Sequence, residues 1–223
     1  MTDIVLIQIP PWGVNTPPLG IAYLSSYLKG KGFHVEVLDI NEALYNMVAD
    51  KSLWDFERKD EWSDDESFNK IKDILGRGIT YCVEKILSID PMIVGLSINQ
   101  NSALFSLEIA KRIKQTENKL VISGGWGCYN KHERDLLRRE DLIDAFVIGE
   151  GEESLYELIS SFKSRGKIEG IKGVLAKRED DMSFSPRPLI ENLDEVPFPT
   201  YKEFELTNYT PALRMLSSRG CMG

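Results

Sequence analysis

Ile4-Val5-Leu6-Ile7-Gln8-Ile9, followed by Pro10-Pro11-Trp12-Gly13-Val14-Asn15-Thr16-Pro17-Pro18 and a helical pattern over Leu19–Lys29, decides the fold of this 223-residue chain. Nearly every position of the first run is apolar, which predicts a central strand covered on both faces. Proline is tolerated at a helix start, so Pro18 is a fair opening for the helix. Gly30 and Gly32 end it, and Val35–Asp39 reads as the second strand. Further out, Met92–Ser97, Leu120–Ser123 and Ala145–Ile148 give three more short apolar runs. Helical spacing separates them, marked by Ala103, Leu107, Ala110 and Ile113, then by Leu155, Leu158, Ile159 and Phe162. This rhythm predicts an α/β chain with a flavodoxin-like (Rossmann-like), doubly wound, five-stranded parallel sheet of order 2-1-3-4-5.

Two regions fall outside that rhythm. The stretch 41–90 is too long for a simple crossover and reads as a helical insertion. It has an aromatic, acidic part with Trp54, Phe56 and Trp62; buried packing is the expected fate of Trp54 and Trp62. A helix from about Ser67 to Ser88 follows, with Phe68, Ile71, Leu75, Ile79, Cys82 and Ile86 on one stripe and Asp64 or Asp65 as its cap. Cys82 is read as core. After Gly166 the pattern changes: Gly173–Arg178 and Met182–Ser185, around Glu179-Asp180-Asp181, read as a hairpin. Pro186 to Tyr201 reads as an extended linker, and Arg214–Ser218 as a strand that starts something new.

Composition narrows the function classes. The net charge is −8. Gripping nucleic acid phosphate needs a basic face, and no dense Lys/Arg block occurs, so nucleic acid is not expected as the main partner. No apolar run reaches the length of a membrane span, and the start lacks a basic signal-peptide region, so no membrane is expected and a cytoplasmic location is. Three widely spaced cysteines, Cys82, Cys128 and Cys221, fit reduced thiols rather than a disulfide framework.

In an open parallel sheet, ligands bind beyond the carboxyl ends of the strands. Four of the five ends here are unusual: the proline loop, Ser97-Ile98-Asn99-Gln100-Asn101, Gly124-Gly125-Trp126-Gly127-Cys128-Tyr129, and Gly149-Glu150-Gly151-Glu152. Glycine lets backbone approach a large ligand, and hydroxyl and amide groups offer uncharged hydrogen bonds. Other tenants of the fold are excluded. A phosphoryl receiver needs an Asp where Ser97 stands, a flavodoxin needs a Ser/Thr-rich loop where the prolines stand, and a dinucleotide site needs G-x-G-x-x-G after the first strand.

With these residues in view, the chain resembles the radical S-adenosylmethionine (SAM) enzymes that carry an N-terminal cobalamin-binding domain. The likeness rests on elements in the family's order along nearly the full length. These are the first strand ending in Pro-Pro, Pro17-Pro18-Leu19-Gly20-Ile21-Ala22-Tyr23-Leu24, Val94-Gly95-Leu96-Ser97, Ser123-Gly124-Gly125, Asp144–Glu152, Leu193–Tyr201, and Ser217-Ser218-Arg219-Gly220-Cys221. The resemblance implies that cobalamin lies on the carboxyl rim. Ser97 and Asn99 would approach the corrin or its nucleotide tail. Gly124 and Gly125 would line the tail pocket, and Gly149, Glu150 and Gly151 would border it. Pro17 and Leu19 would face the cobalt side.

One departure stands out. The chain has two histidines, His34 and His132, and neither lies in the D-x-H-x-x-G motif whose His ligates cobalt in the best-known cobalamin domains. The resemblance therefore implies binding without a histidine on cobalt; the alternative is a docking domain that has lost the cofactor. Cys221 matches the first cysteine of C-x-x-x-C-x-x-C, which in the parent would hold a [4Fe–4S] cluster that binds SAM. Cys128 is expected to be a packed rim residue. The implied division is a cobalamin-binding domain over 1–165, a hairpin and linker over 166–208, and the truncated start of a radical SAM domain over 209–223. The implied partners are cobalamin and the rest of that domain. The parent is expected to be a methyltransferase, and this portion alone is expected to catalyse nothing.

Overall fold

A computed structural model describes residues 1–179 and 181–219. Its centre is one six-stranded sheet of order β2-β1-β3-β4-β5-β6. The strands are β1 (Thr2–Gln8), β2 (Val35–Asp39), β3 (Pro91–Ser97), β4 (Leu120–Gly124), β5 (Ala145–Val147) and β6 (Val174–Ala176). The first five are parallel, in the order read from the sequence. The sixth runs antiparallel to β5.

The helices are α1 (Leu19–Gly30), α2 (Ile40–Met47), α3 (Asp65–Ser88), α4 (Ala103–Thr116), α5 (Lys131–Arg138) and α6 (Gly151–Arg165). They divide between two faces because strand side chains alternate. Val5, Ile7, Val94, Leu96, Val121 and Phe146 point into a core shared with α2, α3, α4 and α5. Ile4, Leu6, Ile93, Ile122, Ala145 and Val147 point into a second core under α1 and α6. Buried strands covered on both sides need apolar residues at consecutive positions, which is what the sequence shows.

The insertion is built into the first core. Trp62 is fully buried, donates from Nε1 to the Leu53 carbonyl (2.9 Å), and sets its ring 5.4 Å from Trp54 and 6.0 Å from Phe105. Asp64 caps α3, accepting from the Ser67 N–H at 2.9 Å. Cys82 lies on the buried stripe of α3, as its spacing predicts.

The expected C-terminal hairpin is corrected. Its first arm forms β6, but it pairs with β5 rather than with 182–185. An unpaired edge of β5 presents a whole row of backbone donors and acceptors, a better partner than a polar return arm. The Gly173 N–H donates to the Ser185 carbonyl of the second arm (2.8 Å), and Met182 is exposed. The strand expected over Arg214–Ser218 does not form either; those residues are irregular.

The proline-rich segment is irregular but docked. Arg187 forks onto Glu153 (2.9 Å) and Glu157 (2.5 Å) of α6. Farther on, Tyr201, Phe204 and Tyr209 enter the second core beside α1. Ser26 of α1 donates to the Phe198 carbonyl at 2.7 Å, and Lys29 pairs with Glu203. Among the described residues, no helix is long and apolar enough to cross a membrane.

Candidate functional site

The carboxyl ends of β1, β3, β4 and β5 open into one cavity of about 300 Å³ between α1 and α6. Leu6, Ile21, Leu24, Ile122, Val147 and Leu155 make its walls largely apolar. Such a space suits the flat, uncharged part of a ligand.

Seven of the nine cofactor-site residues expected from the sequence border this cavity: Leu19, Ser97, Gly124, Gly125, Gly149, Glu150 and Gly151. Pro17 and Asn99 do not. Pro17 is buried ahead of α1. Asn99 lies past the end of β3, where its N–H meets Ser102 Oγ (3.3 Å) and its carbonyl lies against Gly127. Cys221, the expected cluster ligand, lies outside the described residues.

The glycines there do different jobs. Gly125 has φ +100°, and a Cβ on it would stand 2.6 Å from the Ile98 carbonyl oxygen. It lets the turn after β4 tuck under the end of β3, where the Ile98 N–H donates to the Gly124 carbonyl (2.8 Å) and the Gly127 N–H to the Ile98 carbonyl (3.2 Å). Gly124 is roomier: a Cβ there would meet Val147 at an ordinary 3.5 Å. Gly124 therefore keeps space open, while Gly125 makes the turn possible.

Polar groups at the mouth are few. Among the described residues the Ser97 hydroxyl carries no protein partner, so it is free for a ligand. Glu150 is engaged on both oxygens: Oε2 accepts from the Ile190 N–H (2.6 Å) and Oε1 faces Arg219 Nη1 (3.2 Å). Arg219 also pairs with Glu152, which is buried in the first turn of α6. The Arg219 guanidinium lies 5.5 Å from the centre of the Tyr23 ring. Sequence reasoning missed Tyr23, Leu24, Leu216 and Arg219. The four-residue step from Leu19 to Tyr23 puts both on one helical face, a signal that was present. The approach of Arg219 to Glu150 and Glu152 spans too many residues to read from spacing.

The remaining titratable groups lie elsewhere. His34 is exposed at the amino edge of the sheet, its backbone N–H held by Asp3 (2.8 Å). His132 is exposed in the first turn of α5. Neither borders the cavity. Cys128 is fully buried, and burial pushes its thiol up to about 12, an inert packing residue as expected.

At the far end of the rim, Asp39 closes β2. Its Oδ1 accepts the Glu42 N–H (2.9 Å) and caps α2; its Oδ2 accepts the Tyr209 hydroxyl (2.8 Å). Burial pushes its carboxyl up to about 6, against the lowering pull of those two donors. The folded chain thus holds this proton more tightly than the unfolded chain, where the group titrates near 3.8. The stabilisation is full below about pH 4 and is lost as pH rises through 6. In Asp39→Asn this loss disappears. Between pH 4.5 and 7.5 the difference in unfolding free energy between variant and parent should move by about 2 kcal/mol in the variant's favour. Urea melts at the two pH values measure it, and parallel behaviour of the two proteins would contradict it.

Fold and rim together define an α/β domain with an apolar ligand cavity at the carboxyl edge of a parallel sheet. No protein-family model matches the chain. It is 29% identical, over 97% of its own length, to an uncharacterised methyltransferase of Pyrococcus horikoshii, of which it covers 43%. It is 22% identical over 80% of its length to an anaerobic magnesium-protoporphyrin IX monomethyl ester cyclase of Synechocystis, covering 30% of that protein. The chain thus spans less than half the length of the curated relatives it matches.

Among solved structures, the fold is shared with the cobalamin-dependent radical SAM enzyme OxsB, solved with aqua-cobalamin and SAM bound. The TM-score is 0.64 at 18% identity, over 93% of this chain and 25% of that one. It is also shared with the radical SAM methyltransferase TsrM of Kitasatospora setae, at TM-score 0.51 and 19% identity, over 83% of this chain and 30% of that one. The resemblance read from the sequence is met in the fold: these structural neighbours are cobalamin-dependent radical SAM enzymes.

Proposed function

We propose that this chain is the cobalamin-holding portion of a radical SAM enzyme, and that its parent is a methyltransferase. The observation that carries the reading is the apolar cavity at the carboxyl rim, bordered by Ser97, Gly124, Gly125 and Gly149. Cobalamin is a bulky ligand with an uncharged corrin edge and a flat aromatic tail. The cavity fits such a tail: its walls are apolar, a glycine keeps its floor open, and a free serine hydroxyl stands at its mouth. The similarity to the Pyrococcus methyltransferase over 97% of the chain supports the parent's reaction class.

When bound, cobalamin supplies a transferable methyl group; a cluster held by Cys221 and two further thiolates would supply radical initiation with SAM. The residues described here do the protein's share of that work. Leu6, Ile122, Val147 and Leu155 exclude water from the buried end of the ligand. Ser97 orients it with a hydrogen bond that costs no charge desolvation. The backbone turn at Gly124-Gly125 brings amide edges close without a side chain in between. His34 and His132 stand away from the cavity.

The test mixes the chain with hydroxocobalamin and separates it by gel filtration. A corrin absorption band is expected to travel with the protein. A colourless protein peak would favour the other reading, a docking domain without cofactor.

A further inference from the structure

Asn41 is the second residue of α2 and is fully buried, yet its side-chain bonds all leave that helix. Its Oδ1 accepts the Trp12 backbone N–H (3.0 Å) and the Trp54 Nε1–H (2.7 Å), and its Nδ2 donates to the Trp12 carbonyl (3.2 Å). Two donors converge on Oδ1, so a flipped amide would match none of the three partners. The side chain thus pairs with Trp12 as a neighbouring strand would, on both backbone groups at once. Trp12 lies in the loop after β1, where Pro10, Pro11, Pro17 and Pro18 have no backbone donor with which to anchor it. That loop leads into Leu19 and Gly20, which border the cavity.

The loop after β3 is held from the same side. Asn101 has φ +69°, a left-handed conformation that asparagine tolerates better than most residues. Its Nδ2 donates to Ser63 Oγ (2.9 Å) and, more loosely, to Asp60 Oδ1 (3.4 Å). Ser97 on the cavity rim stands four residues earlier in the chain. Asn41, Trp54, Asp60 and Ser63 all belong to the insertion. Trp54 is rooted there between Tyr45 and Trp62, whose rings stand 5.4 Å away on either hand. The insertion packs on the first core, whereas the cavity opens over the second. It can therefore brace both loops without taking space from a ligand.

We infer that the insertion is a splint for the ligand rim, with Asn41 fixing the loop after β1 and Asn101, tied to Ser63, fixing the loop after β3. Both asparagines are positioning residues: each holds a loop and touches no ligand. A loop fixed beforehand loses little freedom when a ligand settles on it, which is how such bracing raises affinity. The two loops stand at the carboxyl ends of adjacent strands, β1 and β3, above the cavity. With the flat tail of cobalamin in the cavity, the part left for the loops to hold is the bulky corrin. The assignment to the corrin rests on the proposed function; the splint itself does not.

The experiment uses the 223-residue chain in two arms. In the first, amide hydrogen exchange is followed without ligand in the parent, Asn41→Ala and Asn101→Gly. Glycine keeps the left-handed backbone at 101 and removes only the side-chain bonds. Exchange should rise about tenfold at Trp12 in Asn41→Ala and at Asn99 to Asn101 in Asn101→Gly, with the amides of β1 and β3 unchanged. Unchanged exchange at both loops overturns the splint. So does an equal rise throughout β1 and β3, which marks a loss of overall stability. In the second arm, the proteins are titrated with hydroxocobalamin and with dicyanocobinamide, a corrin that lacks the nucleotide tail. Asn41→Ala should bind both about tenfold more weakly than the parent. Gly124→Leu, with the cavity filled, should lose affinity for hydroxocobalamin alone. Equal affinities in Asn41→Ala and the parent, or a loss confined to hydroxocobalamin, overturn the corrin role. A parent that binds hydroxocobalamin but not dicyanocobinamide overturns it too. Failure of every protein to bind either corrin sinks the cofactor reading, and the exchange arm then decides the splint on its own.

Discussion

Gly125→Ala should lower the unfolding midpoint by about 10 °C. Two costs add. Gly125 has φ +100° and ψ −174°, a backbone region open essentially to glycine alone. The new Cβ would also stand 2.6 Å from the Ile98 carbonyl oxygen, which is backbone and cannot swing aside. The strain is worth about 1–3 kcal/mol, and the clash brings the total to about 3–5 kcal/mol. At this chain length each kcal/mol moves the midpoint by about 2–4 °C. Gly13→Ala is the control: nothing lies within 4 Å of its new Cβ and its φ is ordinary. It should change stability by less than about 0.5 kcal/mol. Equal midpoints for the two variants in a thermal melt would mean that the turn after β4 is not held as described.

Gly125 also shows which parts of the site could be read in advance. Four of the five parallel strands were legible because each is buried on both faces and so reads as a mostly apolar run, whereas the edge strand β2 alternates, with Glu36 exposed between buried Val35 and Val37. The carboxyl-edge glycines were legible because strand-to-helix turns put them at fixed places after those runs. What the pattern hides is the reason for each glycine. Gly124 and Gly125 are neighbours with the same letter, yet one keeps a cavity open and the other permits a backbone geometry. Only their surroundings separate them.

The C-terminal third was less legible for a related reason. The short apolar run Val174-Leu175-Ala176 announces a strand but not its partner, and the free edge of β5 won over the nearer arm. The stretch from Pro186 has the composition of a linker because its anchoring is sparse: Arg187 on α6, Tyr201, Phe204 and Tyr209 beside α1. Likewise α2 was missed because its eight residues carry too short a period to stand out, though Asp39 caps it and Ile40 and Leu44 bury its inner face. The pairing of Arg219 with Glu150 and Glu152 joins positions 67 or more residues apart, beyond any local periodicity.

The largest functional effect is expected from filling the cavity rather than from removing a ligand contact. Gly124 ends β4 on the cavity side, in line with Ile122, and a Cβ there meets only Val147 at ordinary distance. In Gly124→Leu the remaining side-chain atoms must therefore occupy the cavity. A leucine among Ile122, Val147 and Leu155 finds apolar company, so the fold should hold, with a midpoint unchanged or raised by a few degrees. The same atoms take the volume that the flat end of a ligand needs, and overpacking a tight space costs about 1–3 kcal/mol. Hydroxocobalamin affinity should fall by about a hundredfold, equivalent to about 2.7 kcal/mol. Ser97→Ala, which removes one neutral hydrogen bond and no volume, should weaken binding only about fivefold. That ranking separates two accounts of the rim. If shape holds the ligand, the glycine variant is crippled and the serine variant nearly normal. Should the two variants bind alike, or Gly124→Leu bind as the parent does, the ligand's buried end does not sit between α1 and α6. The corrin would then have to be held by the outer loops, where Trp126 and Tyr129 stand exposed with their rings 5.6 Å apart.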